Sequence, residues 1–333
     1  MVVVHSYAWA VFLAFITMLC WGSWANTQKM ATKKWPFQLF YWDYAIGVLL
    51  LSLLLAFTAG SIGSDGRSFI DDLRQAELAY LWSAFLGGAV FNIANILLVA
   101  AIAIAGMAVA FPIGIGLALV IGVVVNYFAT PVGNPAILFI GVALVTAAIV
   151  LDALAYRKLP SSTAANTNKG ILVSLIAGVM MGFFYRFVAA SMVTDFVNPE
   201  AGKLTPYTAS VVFAIGLLIS NFLWNSIFMY KPLAGERVTY RDYFKLGDTR
   251  LHVIGILGGM IWSIGMTFNI IAAEQAGFAI SYGLGQGATM VAAFWGVFIW
   301  KEFKGAKGVS GLLTAMFFFF IVGLALIILS RLY

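Results

Sequence analysis

The chain has 333 residues, of which 62% are hydrophobic and only 10% are charged, and its formal net charge is +6. Soluble domains carry about 25% charged residues, so this composition excludes an ordinary soluble protein and requires lipid to cover much of the apolar surface. The basic residues do not indicate nucleic acid, because they lie in short loops between apolar runs, where they orient a protein in a bilayer.

Ten apolar runs follow one another along the chain. Each is long enough to cross a bilayer, since a spanning helix needs about 20 residues at about 1.5 Å of rise per residue. Tight links near Gly106 and Gly277 join the third span to the fourth and the eighth to the ninth. The predicted spans are Tyr7–Gln28, Phe40–Gly60, Leu78–Ile104, Met107–Phe128, Pro135–Ala155, Gly170–Val193, Tyr207–Tyr230, Leu251–Ala276, Phe278–Trp300 and Gly308–Ser330.

The loops between these spans are strongly asymmetric in charge. Fourteen Lys and Arg residues fall on one side of the predicted bilayer and four on the other, with Arg186 inside a span. Basic loops stay in the cytoplasm, so we expect a multi-pass protein of the cell (inner) membrane with both termini outside the cytoplasm.

The two halves of the chain resemble each other at a shift of 171 positions. Leu86–Gly88 matches Leu257–Gly259, and Gly106 matches Gly277. We therefore expect two five-helix repeats, residues 1–158 and 159–333. Five is an odd number, so the second repeat should enter the bilayer with opposite polarity, which is the inverted-repeat plan of secondary transporters. The predicted fold class is an all-α membrane protein of ten transmembrane helices in two inverted five-helix repeats.

Polar side chains within the spans are the candidate site residues, because such groups are costly in lipid and usually face a cavity or a partner. Amides and hydroxyls suit a neutral polar solute, and tryptophan stacks on a sugar ring or a planar heterocycle, although a packing role for the tryptophans is an equal alternative. The candidate substrate-binding residues are Trp21, Trp24, Asn92, Asn95, Arg186, Ser263, Asn269, Tyr282 and Gln286.

Charged side chains at membrane depth suggest how transport is coupled to an ion. Arg186 and Glu274 are expected at similar depth, where they could pair, and Glu274 and Asp43 are the candidate coupling residues. The alternatives are that Arg186 extends outward and Glu274 is interfacial. For Asp43 and Asp152, near the cytoplasmic ends of their spans, a solvated helix end is the preferred interpretation.

Enzyme chemistry is not indicated. One Cys, two His near span ends and scattered acids provide no catalytic or metal-binding set, and no Walker motif is present. Gly283, Gly285 and Gly287 lie inside an apolar span and not after a strand, so they indicate helix packing and not nucleotide binding. We expect no enzyme activity and no cofactor.

At this point the layout resembles the drug/metabolite transporter superfamily. Trp21–Trp24, followed by Lys29, Lys33, Lys34 and Trp35, is similar to the bacterial sugar porters, meaning the glucose/ribose porters and the rhamnose–proton symporters. Tyr41–Tyr44 and Val123–Phe128 also resemble the ureide permeases of plants. The resemblance implies a cavity lined mainly by the first, third, fourth, sixth, eighth and ninth helices.

The resulting hypothesis is proton-coupled uptake of a small neutral polar solute, a sugar first and a ureide or nucleobase second. Export of a drug or metabolite is an alternative, and a non-transporting receptor or scaffold is the alternative from another class. The expected partners are the solute, a proton or other coupling ion and the lipid bilayer, without nucleic acid, in a monomer or homodimer.

Overall fold

The computed structural model describes residues 1–31, 35–159 and 167–333, so Lys33 and Lys34 lie outside the described residues. Within these ranges the protein is helical, and ten segments are long and apolar enough to cross a membrane. The helices are α1 (Tyr7–Ser23), α2 (Ala25–Ala31), α3 (Phe37–Phe57), α4 (Phe69–Gln75), α5 (Leu78–Ala105), α6 (Met107–Phe111), α7 (Leu117–Ala129), α8 (Pro135–Tyr156), α9 (Thr167–Ser191), α10 (Pro206–Tyr230), α11 (Tyr240–Leu246), α12 (Thr249–Ala276), α13 (Phe278–Gly285), α14 (Ala288–Phe294) and α15 (Ser310–Leu329).

Three of the ten spans are interrupted, which the hydropathy of the sequence does not show. The first span consists of α1 and α2 with a break at Trp24. In the fourth span a π-helical turn, Pro112–Gly116, joins α6 to α7. The ninth span is α13 and α14, followed by a second π-helical turn at Trp295–Ile299. Such turns are common at functional sites, because they redirect backbone and side chains within a helix.

The two longest predicted loops each contain a short helix that the sequence analysis did not anticipate. Ser68 caps α4 by accepting a hydrogen bond from the Asp71 amide. Thr239 caps α11 and exchanges hydrogen bonds with Asp242 in a capping box. These caps satisfy amides that would otherwise be unpaired at the helix start. In the second cap, the hydrogen bonds from Thr239 also keep the pKa of the Asp242 carboxyl below its usual range.

The 171-residue shift seen in the sequence is also a shift between helices. The first residues of α5 and α12 are 171 positions apart, and so are their last residues. Both helices end at a glycine with positive φ, 78° at Gly106 and 84° at Gly277. Only glycine adopts this conformation without strain, so the shared glycine produces the same tight link in both halves.

At two helix crossings, a pair of glycines meets the carbonyls of a span in the other half of the chain at very close range. A Cβ on any of these glycines would overlap that carbonyl oxygen, so the small residue allows the close approach. In the third and seventh spans, Gly88 meets the Phe213 carbonyl and Gly216 meets the Phe85 carbonyl. In the second and eighth spans, Gly259 meets the Tyr44 carbonyl and Gly47 meets the Ile256 carbonyl.

The helix pairing also repeats between the halves. α5 packs against α9 and α10, and α12 packs against α1 and α3. The fourth span lies beside α9, the ninth lies beside α1, and α8 packs against α15. Exchanging the two halves turns each of these pairings into another of the set, except the pairing of α8 with α15, which becomes itself. A cavity between α1 and α9 would therefore lie near the centre of the arrangement.

We predict that Gly88→Ala lowers the melting temperature of the detergent-purified protein, because overpacking a close crossing costs about 1–3 kcal/mol. Gly311→Ala, in the tenth span, is the matched control, since no atom lies within 4 Å of its Cβ position. Intrinsic tryptophan fluorescence during heating measures both. Equal melting temperatures for the two variants would contradict the close crossing.

Candidate functional site

A cavity of about 470 Å³ lies between the two halves, within the range of small-molecule sites of about 300–1,000 Å³. It runs from the middle of the spans to the face that holds Lys29, Trp300 and Glu302. The lining comes from the first, third, fourth, fifth, sixth, eighth and ninth spans, and its side chains include Trp21, Trp24, Phe91, Asn95, Asp152, Tyr156, Met181, Phe184, Trp262, Gln286, Thr289 and Trp295. The fifth span adds to the set implied by the resemblance.

Aromatic side chains close the inner end of the cavity at mid-depth. Trp262 lies 4.4 Å from Phe91 and 5.7 Å from Phe213, measured between ring centroids, and Phe184 lies 5.1 Å from Phe91. These four rings, which we call the aromatic floor, come from the third, sixth, seventh and eighth spans. Trp21 stacks on Trp262 at 5.8 Å and donates from its indole nitrogen to the Trp262 carbonyl at 3.2 Å. The floor separates the cavity from the opposite face.

Two amides lie in the cavity wall near this floor. Gln286 is 8% exposed, and its side-chain amide has no hydrogen-bond partner in the described ranges. Its backbone carbonyl accepts a hydrogen bond from the Thr289 hydroxyl at 2.9 Å. Asn95 donates to the Tyr41 hydroxyl at 3.2 Å. A solute with both carbonyl and N–H groups could therefore bind Gln286 without breaking an existing contact.

The mouth of the cavity is crossed by an ion pair. Lys29 Nζ lies 2.5 Å from Glu302 Oε1 and 4.4 Å from the centre of the Trp300 ring. The Tyr156 hydroxyl donates to Glu302 Oε2 at 2.8 Å, and the Trp300 indole donates to Asn26 Oδ1 at 2.7 Å. This network links the ends of the first, fifth and ninth spans.

The opposite face is closed by a hydrogen-bonded network between two loops. Arg67 donates to Asp72 Oδ1 at 2.8 Å and to the carbonyls of Pro199, Glu200 and Lys203. The second oxygen of Asp72 accepts hydrogen bonds from the Thr205 amide at 2.7 Å and the Thr205 hydroxyl at 2.9 Å. One loop precedes the third span and the other precedes the seventh, so this network joins the two halves.

Four of the predicted substrate-binding residues, Trp21, Trp24, Asn95 and Gln286, line the cavity. The other amides and hydroxyls serve contacts between helices instead. Asn92 donates to the Leu217 carbonyl and the Ser220 hydroxyl, at 3.1 and 2.8 Å. Ser263 bonds Ser52 at 3.0 Å.

Asn269 and Tyr282 lie behind the cavity wall. Asn269 Nδ2 donates to the Ser281 carbonyl at 2.7 Å, which ties the eighth span to the ninth across the Gly277 link. The Tyr282 hydroxyl donates to the carbonyls of Ala118 and Met181, at 3.3 and 3.2 Å. Hydropathy could not separate these residues from the cavity amides, because both kinds are single polar groups in apolar spans.

Glu274 and Arg186 lie away from the cavity. Glu274 Oε1 accepts a hydrogen bond from the Phe196 amide at 2.6 Å and so fixes the loop between the sixth and seventh spans. Within the described ranges no ion pair joins Arg186 to Glu274, so the pairing that the sequence allowed is not formed. The carboxylate instead binds a backbone amide of the nearby loop.

The expected solvated position of Asp43 is also wrong, because α11 and the start of α12 cover that end of the second span. Asp43 is 1% exposed and accepts hydrogen bonds from the Tyr243 hydroxyl at 2.5 Å and from His252 Nδ1 at 3.0 Å. Burial, and then the neighbouring Asp43 carboxylate, raise the pKa of the Tyr243 phenol above its usual range. Asp43 does not line the cavity in the part of the chain that is described.

Asp152 corrects a further expectation. It is 5% exposed and lines the cavity, so it is not a solvated helix end. Glu302 belongs to the same cavity wall. The sequence feature that could have indicated the cavity position of Asp152 was its spacing from Tyr156, which places the two side chains one turn apart on the same face of α8.

Ten membrane-spanning helices around a solute-sized cavity, closed on one face and accessible from the other, define a multi-pass membrane transporter of small solutes. The sequence pattern of the ureide permease family matches residues 40–169 and 161–330. The chain belongs to the ureide permease family. The ureide branch of the resemblance is therefore confirmed, and the sugar-porter branch has no support from the comparisons.

Known permeases match the chain along its length. It is 25% identical to Ureide permease 2 of Arabidopsis thaliana, with 99% of each chain covered. It is 24% identical to Ureide permease 4 of the same plant, again over 99% of each, and 24% identical to Probable ureide permease A3 of Vigna unguiculata, over 90% of this chain and 97% of that one. These relatives are permeases, which confirms that the chain is not an enzyme.

One solved structure, described as "Crystal structure of protein", has the same fold. It superposes with a TM-score of 0.58 over 97% of this chain and 98% of its own, at 15% sequence identity.

We predict that Asp43→Asn loosens the α11 segment without dissolving the fold. The amide keeps one acceptor but loses the charge that strengthens the bonds to Tyr243 and His252, at a cost of about 1–2 kcal/mol. Trypsin should then cut faster in the basic segment 231–250. The exposed acid Glu236 provides the control, Glu236→Gln. Equal cleavage rates in wild type and Asp43→Asn would refute a docking role for Asp43.

Proposed function

We propose that the protein is a secondary active transporter that takes up a small, neutral, planar solute with carbonyl and N–H groups, of the ureide class, together with a proton. The observation that carries the proposal is the free amide of Gln286 beside the Trp21–Trp262 stack. The half-buried Trp21 indole offers a flat apolar face to a planar ring, and a primary amide both donates to a carbonyl and accepts from an N–H.

Family membership supports the ureide over the sugar. A sugar ring also stacks on tryptophan, but it needs several hydroxyl partners arranged around its rim. The wall near the aromatic floor holds two amides and Thr289, whose hydroxyl already donates to the Gln286 carbonyl. This sparse polar set fits a small heterocycle better than a sugar.

The arrangement of the halves supports transport by alternating access. We infer that residues 1–158 and 159–333 are two repeats of opposite polarity, as five spans in each half require if all ten cross the bilayer. Matched helix bounds and exchangeable pairings support this relation. The substrate would then lie at the repeat interface near mid-depth, which is where the cavity ends.

The charge asymmetry supports an orientation with the cavity open to the cytoplasm. The basic loops lie on the side of Lys29 and Glu302, and basic loops are retained inside. Both termini would then face outward in the cell membrane. This state is the one that releases solute into the cell.

Uptake by proteoliposomes tests this proposal. We expect labelled allantoin or uracil to accumulate when the vesicle interior is alkaline relative to the medium, and glucose and rhamnose to be excluded. Accumulation of the sugars alone would favour the sugar alternative. Failure to transport any solute of the panel, with or without a gradient, would overturn the proposed function.

We predict that Trp21→Ala weakens the affinity for the ureide by about 0.5–1.5 kcal/mol, or about two- to tenfold, because it removes a stacking face. Trp9→Ala is the control from the same span, since Trp9 is 59% exposed on the outer surface of the bundle. Counterflow at increasing solute concentration gives KM for each variant. An unchanged KM in Trp21→Ala would make Trp21 a packing residue.

A further inference from the structure

Asp152 is a buried acid whose charge the fold leaves uncompensated. It lies on α8, lines the cavity and is 5% exposed. Its Oδ1 has no hydrogen-bond partner in the described ranges, and none of the ion pairs found there includes it. A buried carboxylate without a partner is costly at membrane depth, so it must either hold a proton or bind a donor from the cavity.

No ion pair joins a cation to Asp152 in the described ranges. The segments that pack most extensively against α8 are α6, the following π-helical turn, α7 and α15, and none of them contains a charged residue. The segment after the ninth span also reaches α8, where Phe303 contacts Tyr156, and its lysines at 301, 304 and 307 form no ion pair with Asp152. The ionisable groups that face it are Glu302, at the cavity mouth, and Tyr156, one turn further along α8.

Glu302 is already satisfied, which distinguishes it from Asp152. One of its oxygens binds Lys29 and the other accepts from Tyr156. Lys29 therefore pairs with Glu302 at the mouth and forms no ion pair with Asp152. Of the two acids in the cavity wall, Asp152 is the one with an oxygen free for a proton.

We propose that Asp152 carries the coupling proton, an inference that rests on the proposed function. With the cavity open, water hydrates the ionised carboxylate. A bound solute displaces that water, so the loaded protein can close around the solute only when the carboxyl is neutral, whereas the empty cavity keeps its water and returns with the carboxylate ionised. A proton taken up from outside while the site faces outward binds Asp152 and leaves to the cavity water when the site faces inward. One proton therefore moves inward in each cycle.

This assignment differs from the two coupling candidates of the sequence analysis. Asp43 is held by Tyr243 and His252 outside the cavity, and Glu274 binds the Phe196 amide near the opposite face. Neither shares the cavity with the solute, whereas Asp152 does. A proton site that opens and closes with the solute site is what coupling by alternating access requires.

The test compares two assays on the same proteoliposomes, with whichever solute the wild type exchanges. Counterflow without a pH gradient measures solute binding and the conformational cycle. Accumulation driven by a pH gradient measures coupling. We expect Asp152→Asn to keep counterflow within about threefold of wild type and to lose at least tenfold of the gradient-driven accumulation. Glu236→Gln, an exposed acid on the same face, should match wild type in both assays.

Asp152→Glu provides a second measurement that does not depend on the amide variant folding. It restores a titratable carboxyl in a changed position, so accumulation should return with its pH profile displaced. Gradient-driven accumulation by Asp152→Asn at the wild-type level would overturn the proposal, as would a wild-type pH profile in Asp152→Glu. Loss of counterflow in a correctly folded Asp152→Asn would overturn it in favour of a solute ligand. Uncoupling by Glu274→Gln with coupling intact in Asp152→Asn would move the role to Glu274.

The same assays separate this inference from the proposed function. A wild-type protein that exchanges ureides but never accumulates them under a pH gradient leaves the transport of ureides intact and overturns the role of Asp152. A wild-type protein that exchanges no solute of the panel overturns the proposed function itself.

Discussion

The structure depends on two helix crossings at which glycines let each helix meet a carbonyl of the other. Each of these crossings joins a span of the first half to a span of the second, through Gly88 and Gly216 on one side and Gly47 and Gly259 on the other. The second, third, seventh and eighth spans therefore form two tight pairs across the halves. The first and sixth spans pack on the outside of these pairs, against α12 and α5. A cavity remains where the first and sixth spans face each other, because the tight pairs keep α12 and α5 apart, and these are the helices on which the two spans pack.

The two ends of this cavity are held by different numbers of hydrogen bonds and ion pairs. On the closed face, Arg67 alone makes four hydrogen bonds, and Asp72 and Thr205 extend them between the loops of the two halves. At the mouth, the first span is joined to the ninth and its following segment by the Lys29–Glu302 ion pair, at an exposed position where an ion pair contributes little, and by the hydrogen bond from Trp300 to Asn26. The conformation described is therefore one in which the closed face is sealed and the cavity is accessible at the mouth.

The sequence predicted the spans well, because hydropathy depends only on how many apolar residues follow one another. It also predicted the matched ends of the third and eighth spans, since glycines at Gly106 and Gly277 are required by a backbone that other residues do not adopt. The breaks in the first, fourth and ninth spans were missed, because a redirected helix keeps the same apolar composition. The short helices α4 and α11 were missed because their stability comes from caps and from docking onto span ends.

The site was harder to predict than the fold, for a related physical reason. The side-chain amide of a residue in a span either donates to a neighbouring backbone, as those of Asn92 and Asn269 do, or faces a cavity, as that of Gln286 does. Composition is the same in both cases, and only the direction of the side chain differs. Asp152 shows the difficulty most clearly. Its position near the predicted span end suggested a solvent-exposed side chain, but it is buried in a cavity wall that the ninth span and its following segment complete.

The matched helices of the two halves nevertheless enclose an asymmetric site, because the cavity residues differ between the halves. The glycine contacts and helix links have counterparts in both halves, so the proposed movement of one half against the other can use equivalent contacts in either direction. The groups that face the cavity do not repeat: the free amide lies in the ninth span and the unpaired acid in the fifth. The proposed solute and the proposed proton are unlike each other, so their sites gain nothing from symmetry. In this proposal the matched helices serve the movement, and the few cavity positions that differ between the halves serve the chemistry.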